Sequence, residues 1–194
     1  MKVGKLLEVL VLDYRDQVPY RAVWELSKRG FDARVYDVRG EKVLICRGST
    51  ERRDWLRNFK VVPKLWKKGA TKWWHAGFLE EAEKAFEQLR RVRITPAVVA
   101  GHSRGGAVAA ILGVSFGVPT LAVAAPRYLL RGQSDPRNAD LILHLDGRED
   151  LITRVPAILF KRMKGPLLKL RTGGHKVERY LVAYHKAGLS VELG

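Results

Sequence analysis

The chain has little cysteine: Cys46 is the only one among 194 residues. A single cysteine excludes an intramolecular disulfide, and nothing in the sequence indicates an oxidising compartment. Cys46 ends an apolar run that begins at Val43, a pattern typical of a buried strand. We therefore expect Cys46 to be a thiol of the core.

The chain also lacks a long apolar run free of helix breakers. The uncharged span 105–126 approaches the length of a membrane-spanning helix. Gly113, Gly117 and Pro119 interrupt it, so we expect a buried helix, a turn and a short strand. The first apolar stretch contains Glu8 and is followed by no small-residue cleavage site. No signal peptide is predicted, and a cytoplasmic location is expected.

Acidic residues are scarce relative to basic ones. The chain has 20 Asp and Glu residues against 36 Lys and Arg residues, for a net charge of +16. Such a field attracts anions, which include nucleic acid, acidic lipid and cell-surface polymers. Charge alone does not choose among these partners.

Length and composition predict one globular domain spanning 1–194, because the chain is 46% hydrophobic. Strands alternating with helices predict an α/β fold with a largely parallel sheet covered on both faces. The segment 4–14 is ambiguous between helix and strand and leans helical. Helices are predicted at 19–28, 76–92, 105–116 and 177–187, and strands at 31–38, 41–47, 96–100, 120–125 and 139–145; the segment 161–174 has no regular pattern.

The Gly-His-Ser-Arg-Gly pattern at 101–105 is the most informative motif. It lies between an apolar run, 97–100, and a small-residue run, 107–112, which predicts a strand, a sharp turn and a helix. Glycines on either side remove the Cβ clashes that would block this turn. Ser103 would then stand at a helix N-terminus, where backbone N–H groups can receive a developing oxyanion. This geometry is typical of an acyl-transfer nucleophile.

An activated serine needs a base, and the base needs an orienting acid. Among the later carboxylates, Asp150 is favoured because it follows a predicted strand and opens a loop, and Asp146 is its rival. Among the later histidines, His175 is favoured because it follows a flexible Gly-Gly turn. We expect His144 to be a strand residue and His185 to lie on the surface of the last helix. Asp135, which precedes a proline, is expected to be a turn residue.

Six segments between Val43 and Tyr180 make the chain resemble a known family. In order they are Arg47-Gly48-Ser49 with Asp54-Trp55-Leu56, His75-Ala76-Gly77-Phe78, Gly-His-Ser-Arg-Gly-Gly at 101–106, Ala125-Pro126-Arg127, the stretch from Asp150 to Pro156, and His175 with Tyr180-Leu181. In this combination the chain resembles the class 3 lipases, the fungal-type triacylglycerol lipase family.

The resemblance implies a compact, minimally decorated α/β-hydrolase fold with a mostly parallel central sheet and helices on both faces. It implies Ser103 as nucleophile, His175 as base and Asp150 as orienting acid. The implied oxyanion hole consists of the backbone N–H groups of Ser49 and Arg104, with the Ser49 hydroxyl as a further donor. The expected substrate is a lipid or other carboxylic ester, and no metal or organic cofactor is expected.

The chain departs from the family at Arg104, where leucine is usual. One interpretation is that this cation biases the substrate toward anionic head groups. The other is that Arg104 points to solvent or pairs with an acid.

Two basic stretches flank the predicted site. The first, which we call the basic aromatic segment, is residues 52–74, with eight basic residues, one acid and four of the five tryptophans. The second, which we call the second basic stretch, runs from Lys161 to Lys176 and contains no acid. One hypothesis is a cationic rim that contacts anionic membrane surfaces peripherally. The other is a solvated surface with buried tryptophans.

Three functions remain open from the sequence. The first is a serine carboxylester hydrolase of lipase, phospholipase or esterase type. The second is a short-chain esterase without lipid preference. The third is a nucleic-acid or anion binder on a degenerate hydrolase scaffold, which is disfavoured because no nucleic-acid motif is present. The sequence predicts no oligomeric state.

Overall fold

A seven-stranded sheet forms the centre of the computed structural model, which describes residues 1–28, 31–48, 62–67, 70–156 and 158–193. The strands are β1 Ala22–Lys28, β2 Phe31–Val38, β3 Glu41–Arg47, β4 Pro63–Leu65, β5 Trp73–His75, β6 Val98–His102, β7 Thr120–Val123, β8 Leu129–Leu130, β9 Ile142–Gly147, β10 Phe160–Lys161 and β11 Leu167–Leu170. The order in the central sheet is β1-β2-β3-β6-β7-β9-β11. The first three strands are antiparallel, and β3, β6, β7, β9 and β11 run parallel.

Helices cover both faces of this sheet. They are α1 Val3–Tyr14, α2 Ala76–Arg91, α3 Arg104–Phe116 and α4 Val177–Lys186. Helices α1 and α4 pack together over one core cluster, and α2 and α3 pack over the other. Alternate residues of each central strand enter opposite clusters, because successive side chains of a strand point to opposite faces. The parallel strands are consequently apolar on both sides.

Most of the predicted elements are confirmed. The helical preference of 4–14 is borne out by α1, and the hairpin of 31–38 and 41–47 turns at Arg39-Gly40, both with positive φ. The amphipathic pattern at 76–92 corresponds to α2, whose buried residues recur at helical spacing. The uncharged span 105–126 divides into α3 and β7, as expected. No helix among the described residues is long and apolar enough to cross a membrane.

The helix predicted at 19–28 is wrong, because this segment is the edge strand β1. Trp24 and Leu26 pack against the core, while Glu25 and Ser27 between and after them are exposed. This alternation has the period of a strand, and pairing with β2 supplies the backbone hydrogen bonds. Tertiary pairing therefore overrides the local helical preference.

A small second sheet consists of four short strands that were not predicted from the sequence. Its order is β10-β8-β5-β4, and its neighbouring strands are antiparallel. Strand β11 joins the edge of the central sheet beside β9. Both β10 and β11 escaped prediction because they are short and carry no sustained alternation.

The only cysteine of the chain, Cys46, is fully buried in β3, as predicted.

Candidate active site

Ser103 occupies the sharp turn between β6 and α3. Its backbone has φ 58° and ψ −127°, which is strained for a residue other than glycine and stores roughly 1–3 kcal/mol. The turn is held because the Ser103 amide donates to the Val123 carbonyl at 2.9 Å. A Cβ on Gly105 would lie 2.1 Å from the Cys46 carbonyl oxygen, so only glycine allows this approach of α3 to β3. The Ser103 hydroxyl makes no capping bond and is available for other partners.

The structure brings Ser103, His175 and Asp150 into one hydrogen-bonded row. His175 Nε2 lies 2.7 Å from Ser103 Oγ, and His175 Nδ1 lies 2.6 Å from Asp150 Oδ2. All three side chains are buried. Ser103 follows β6, Asp150 follows β9, and His175 lies in the loop after β11. The three residues meet because the carboxyl ends of parallel strands lie at one edge of the sheet.

Asp150 is held by more than His175. Its Oδ2 accepts from the Tyr180 hydroxyl at 2.7 Å, and its Oδ1 accepts from the Ile152 amide at 3.1 Å. Burial by itself disfavours the charged form, but the bonds from His175, Tyr180 and Ile152 outweigh it and lower the pKa of Asp150. Asp150 is therefore ionised at neutral pH and accepts the Nδ1 hydrogen of His175. This leaves Nε2 as an acceptor facing the Ser103 hydroxyl.

The competing residues make other contacts, and Asp135, which was expected in a turn, lies outside one. Asp146 forms an ion pair with Arg162 rather than contacting a histidine. His144 is buried within β9, and His185 is exposed on α4. Asp135 pairs with Lys161 at 3.1 Å.

Sequence reasoning missed a supporting network behind His175. His102 Nε2 donates to the His175 carbonyl oxygen at 2.7 Å, and its Nδ1 accepts from the Tyr14 hydroxyl at 3.2 Å. The Tyr14 oxygen in turn accepts from the Gly48 amide at 3.0 Å. His102 was visible in the motif, but no local signal pointed to Tyr14, which is 88 residues away from it. The network ties the loop of His175 to α1 and to the end of β3.

Comparison with known proteins finds similar structures but no matching family model or curated sequence. A triacylglycerol lipase from Penicillium expansum superposes with a TM-score of 0.61 at 14% identity, over 87% of this chain and 77% of that one. Lipase II from Rhizopus niveus superposes with a TM-score of 0.58 at 19% identity, over 79% of this chain and 73% of that one. A lipase from Rhizopus microsporus var. chinensis superposes with a TM-score of 0.59 at 15% identity, over 81% of this chain and 69% of that one.

The chain has the α/β-hydrolase fold. The expected fold class is thereby confirmed, with a mostly parallel central sheet and helices on both faces. In this fold a nucleophile stands on a strand-to-helix turn at the top of the sheet, followed in the chain by an acid and then a histidine. Ser103, Asp150 and His175 occupy that edge in that order.

Of the two backbone amides expected to form the oxyanion hole, that of Arg104 lies within the described residues. Arg104 begins α3, so its amide belongs to the unpaired N–H groups of a helix start. A Cβ on Gly48 would lie 2.9 Å from the His102 carbonyl oxygen and 3.3 Å from the Arg104 amide nitrogen. The close approach of Gly48 brings the chain that leads into Ser49 next to that amide. Ser49 itself lies outside the described residues.

The side chain of Arg104 pairs with an acid. Its Nε donates to Glu81 Oε2 at 3.0 Å, and its Nη2 donates to Glu81 Oε1. Glu81 belongs to α2 and is buried, a position that no sequence signal indicated. Burial raises the pKa of Glu81 to about 8, against the opposing effect of the Arg104 guanidinium. Of the two interpretations of Arg104, pairing is the one that the structure adopts.

We expect Arg104→Leu to destabilise the fold by up to about 3 kcal/mol, because it leaves the ionised Glu81 buried without its partner. Without the cation the effect of burial is opposed less, so the pKa of Glu81 rises further and the variant holds the proton to a higher pH than the parent does. The deficit should therefore be small at pH 6, where both proteins hold the proton, and grow as the pH rises through about 8 toward pH 9.5, as measured by urea unfolding. The double variant Arg104→Leu/Glu81→Met should recover most of the loss. Equal deficits at both pH values would contradict this account.

The tryptophans of the basic aromatic segment divide between core and surface. Trp66 and Trp74 are buried and pack against Phe86 and Tyr128 respectively. Trp73 is 44% exposed, and Trp55 lies outside the described residues. The hypothesis of an interfacial role is therefore wrong for Trp66 and Trp74, because large aromatic surfaces gain more from burial in the core. Within the described ranges, no three His, Cys, Asp or Glu side chains are grouped to hold a metal ion.

Proposed function

We propose that the chain is a serine carboxylester hydrolase that acts on lipid esters through Ser103, His175 and Asp150. The observation that carries the proposal is the row of contacts at 2.7 and 2.6 Å on a strained strand-to-helix turn. A serine, a histidine and an ionised aspartate in this order form an activated nucleophile. The likeness in fold to fungal lipases agrees with it.

In the proposed mechanism, His175 Nε2 takes the hydroxyl proton of Ser103 as Oγ attacks the ester carbonyl. Negative charge then develops on the carbonyl oxygen, which the Arg104 amide and, by the resemblance, the Ser49 amide would stabilise. Asp150 stabilises the imidazolium of His175 and holds its orientation. His175 returns the proton to the leaving alcohol. Water then attacks the acyl-enzyme as His175 takes a proton from it, and His175 returns that proton to Ser103 Oγ as the carboxylic acid leaves.

Exposed apolar side chains in the segment that follows Asp150 favour a lipid ester over a small soluble one. Leu151, Ile158 and Leu159 are 68%, 87% and 43% exposed. Exposed apolar side chains in a segment that begins next to a reactive residue suit contact with an acyl chain or an aggregated lipid. The structural neighbours that carry the name lipase agree with this choice.

The direct test is a hydrolysis panel of nitrophenyl esters of increasing chain length, triglycerides and phospholipids. We expect turnover that rises with acyl-chain length and labelling of Ser103 alone by a serine-directed phosphonate. Turnover of short esters only would identify an esterase without lipid preference. Absence of turnover and of labelling would contradict the hydrolase proposal.

The burial of Trp66 and Trp74 argues against the nucleic-acid alternative. Binding of single strands depends on exposed aromatic rings that stack on bases. Trp73 is the exposed tryptophan in the described part of the chain. A binder would also have no use for the contacts among Ser103, His175 and Asp150.

We also propose peripheral contact with anionic membrane surfaces, supported by the net charge of +16. We expect binding to anionic vesicles to fall steeply as salt rises, because charge attraction is screened over about 8–10 Å near physiological ionic strength. Lys64→Gln/Lys67→Gln/Lys68→Gln should weaken vesicle sedimentation and leave turnover of a soluble ester nearly unchanged. Lys64 also pairs with Glu83 at 2.6 Å, and Lys68 lies outside the described residues.

A matched control removes three exposed lysines from the α1 and α4 face, Lys2, Lys5 and Lys186, for the same change in charge. Equal weakening by both triple variants would show that net charge acts without a preferred surface. Salt-independent binding to neutral and anionic vesicles alike would contradict the proposal. Tighter binding to single-stranded DNA than to any vesicle would support the nucleic-acid alternative.

A further inference from the structure

A pocket of about 490 Å³ lies between the small sheet and strand β9. Five cationic side chains contribute to its lining, and they come from two separated segments: Arg127 and Arg131 around β8, and Lys161, Arg162 and Lys164 around β10. Here the second basic stretch meets arginines about 30 residues away in the sequence. We call this site the basic pocket.

Two carboxylates offset part of this charge. Asp146 pairs with Arg162, and Asp135 accepts from Lys161 Nζ at 3.1 Å and from the Lys164 amide at 3.3 Å. The pocket therefore brings five cations together with these two carboxylates. Arg131 and Arg162 also lower the pKa of Arg127, next to the larger effect of its burial, which shows that like charges are crowded together.

A buried imidazole that lines the basic pocket has one nitrogen without a partner. His144 is 2% exposed, and its Nδ1 has no hydrogen-bond partner among the described residues. Its Nε2 lies 3.5 Å from the Tyr128 hydroxyl oxygen. The ring is neutral, because burial lowers the pKa of His144 to about 3, assisted by Arg162. A neutral imidazole has one donor and one acceptor nitrogen, so a ligand that contacts Nδ1 satisfies it.

Backbone pairing holds the two walls of the pocket together. The Arg131 amide donates to the Leu159 carbonyl at 2.9 Å, and the Tyr128 amide donates to the Lys161 carbonyl at 3.1 Å. These bonds join β8 to β10 in antiparallel register. The cations are thus presented from a paired scaffold, which reduces the entropy lost when a ligand binds.

We propose that the basic pocket binds a phosphate-bearing anion, with a phosphomonoester dianion as the preferred ligand. Arginines provide forked N–H donors that match phosphate oxygens, and in this proposal the neutral His144 ring donates from Nδ1. A monoester carries nearly two negative charges at neutral pH, so a cluster of cations attracts it more strongly than it attracts a diester. The volume accommodates a phosphate with a small organic group. The proposal is independent of ester hydrolysis at Ser103.

The test is titration calorimetry of the full chain with pyrophosphate and with glycerol 3-phosphate at low ionic strength. We expect Arg127→Gln/Arg131→Gln to weaken binding of both probes by about 10-fold or more, since charge-assisted hydrogen bonds are lost. His144→Phe, which keeps a ring but removes the donor, should weaken it by about fivefold. The control Arg90→Gln/Arg91→Gln removes two exposed arginines of α2 and should change affinity by less than about twofold.

Vesicles distinguish a free phosphate compound from a lipid headgroup. If vesicles with phosphatidate bind more tightly than vesicles with phosphatidylglycerol, and glycerol 3-phosphate competes, the ligand is a headgroup. If the soluble probes bind and vesicles do not compete, the ligand is a free phosphate compound. Failure of both soluble probes to bind, or equal loss in the Arg90/Arg91 control, would overturn the proposal. Circular dichroism and ester turnover of each variant verify that the fold is intact.

Discussion

Ser103→Ala is expected to lower kcat for ester hydrolysis by roughly 10⁴-fold or more, because nucleophile and base act as one unit. The variant removes the oxygen that lies 2.7 Å from His175 Nε2 and leaves the rest of the row in place. The measurement is steady-state turnover of a nitrophenyl ester by the purified variant. Ser134→Ala, which changes an exposed serine, serves as the matched control and should retain full activity.

Thermal unfolding of Ser103→Ala should resemble that of the parent, since alanine occupies the same strained turn without new contacts. Loss of activity together with loss of folding would leave the role of Ser103 untested, so both are measured on one preparation. Retention of most of the turnover in folded Ser103→Ala protein would refute the assignment of the nucleophile.

Removal of His175 is expected to be nearly as damaging as removal of Ser103. Without the imidazole, no group is placed to accept the hydroxyl proton, and kcat should again fall by roughly 10⁴-fold. His185→Ala is the matched control, because His185 is exposed on α4 and should affect turnover little. An inactive His185→Ala variant beside an active His175→Ala variant would contradict the assignment.

The role of Asp150 is tested by comparing it with the nearby Asp146. Asp150→Asn should cost far more turnover than Asp146→Asn, because Asp150 accepts from His175 whereas Asp146 accepts from Arg162. The bonds that lower the pKa of Asp150 keep it ionised through the neutral range, so its titration should not limit activity there.

Local chemistry explains which parts of the site were predictable. The turn at Ser103 is encoded within about ten neighbouring residues, and both its strand and its helix could be read from composition. Asp150 and His175 were favoured over Asp146 and His144 by chain order, by their loops and by the resemblance. That the three meet depends on parallel strands ending at one edge, a property of the assembled sheet.

The sequence by itself determined the α/β class, the nucleophile turn, the thiol of the core and the excess of positive charge. The tertiary structure decided the edge strand β1, the pairing of Arg104 with Glu81, the burial of Trp66 and Trp74, and the convergence of cations in the basic pocket. Each of these features either joins segments that are remote in sequence or depends on whether a side chain is buried or exposed. The local sequence pattern allows both states equally. Side-chain packing across the sheet settles such choices, and composition does not record it.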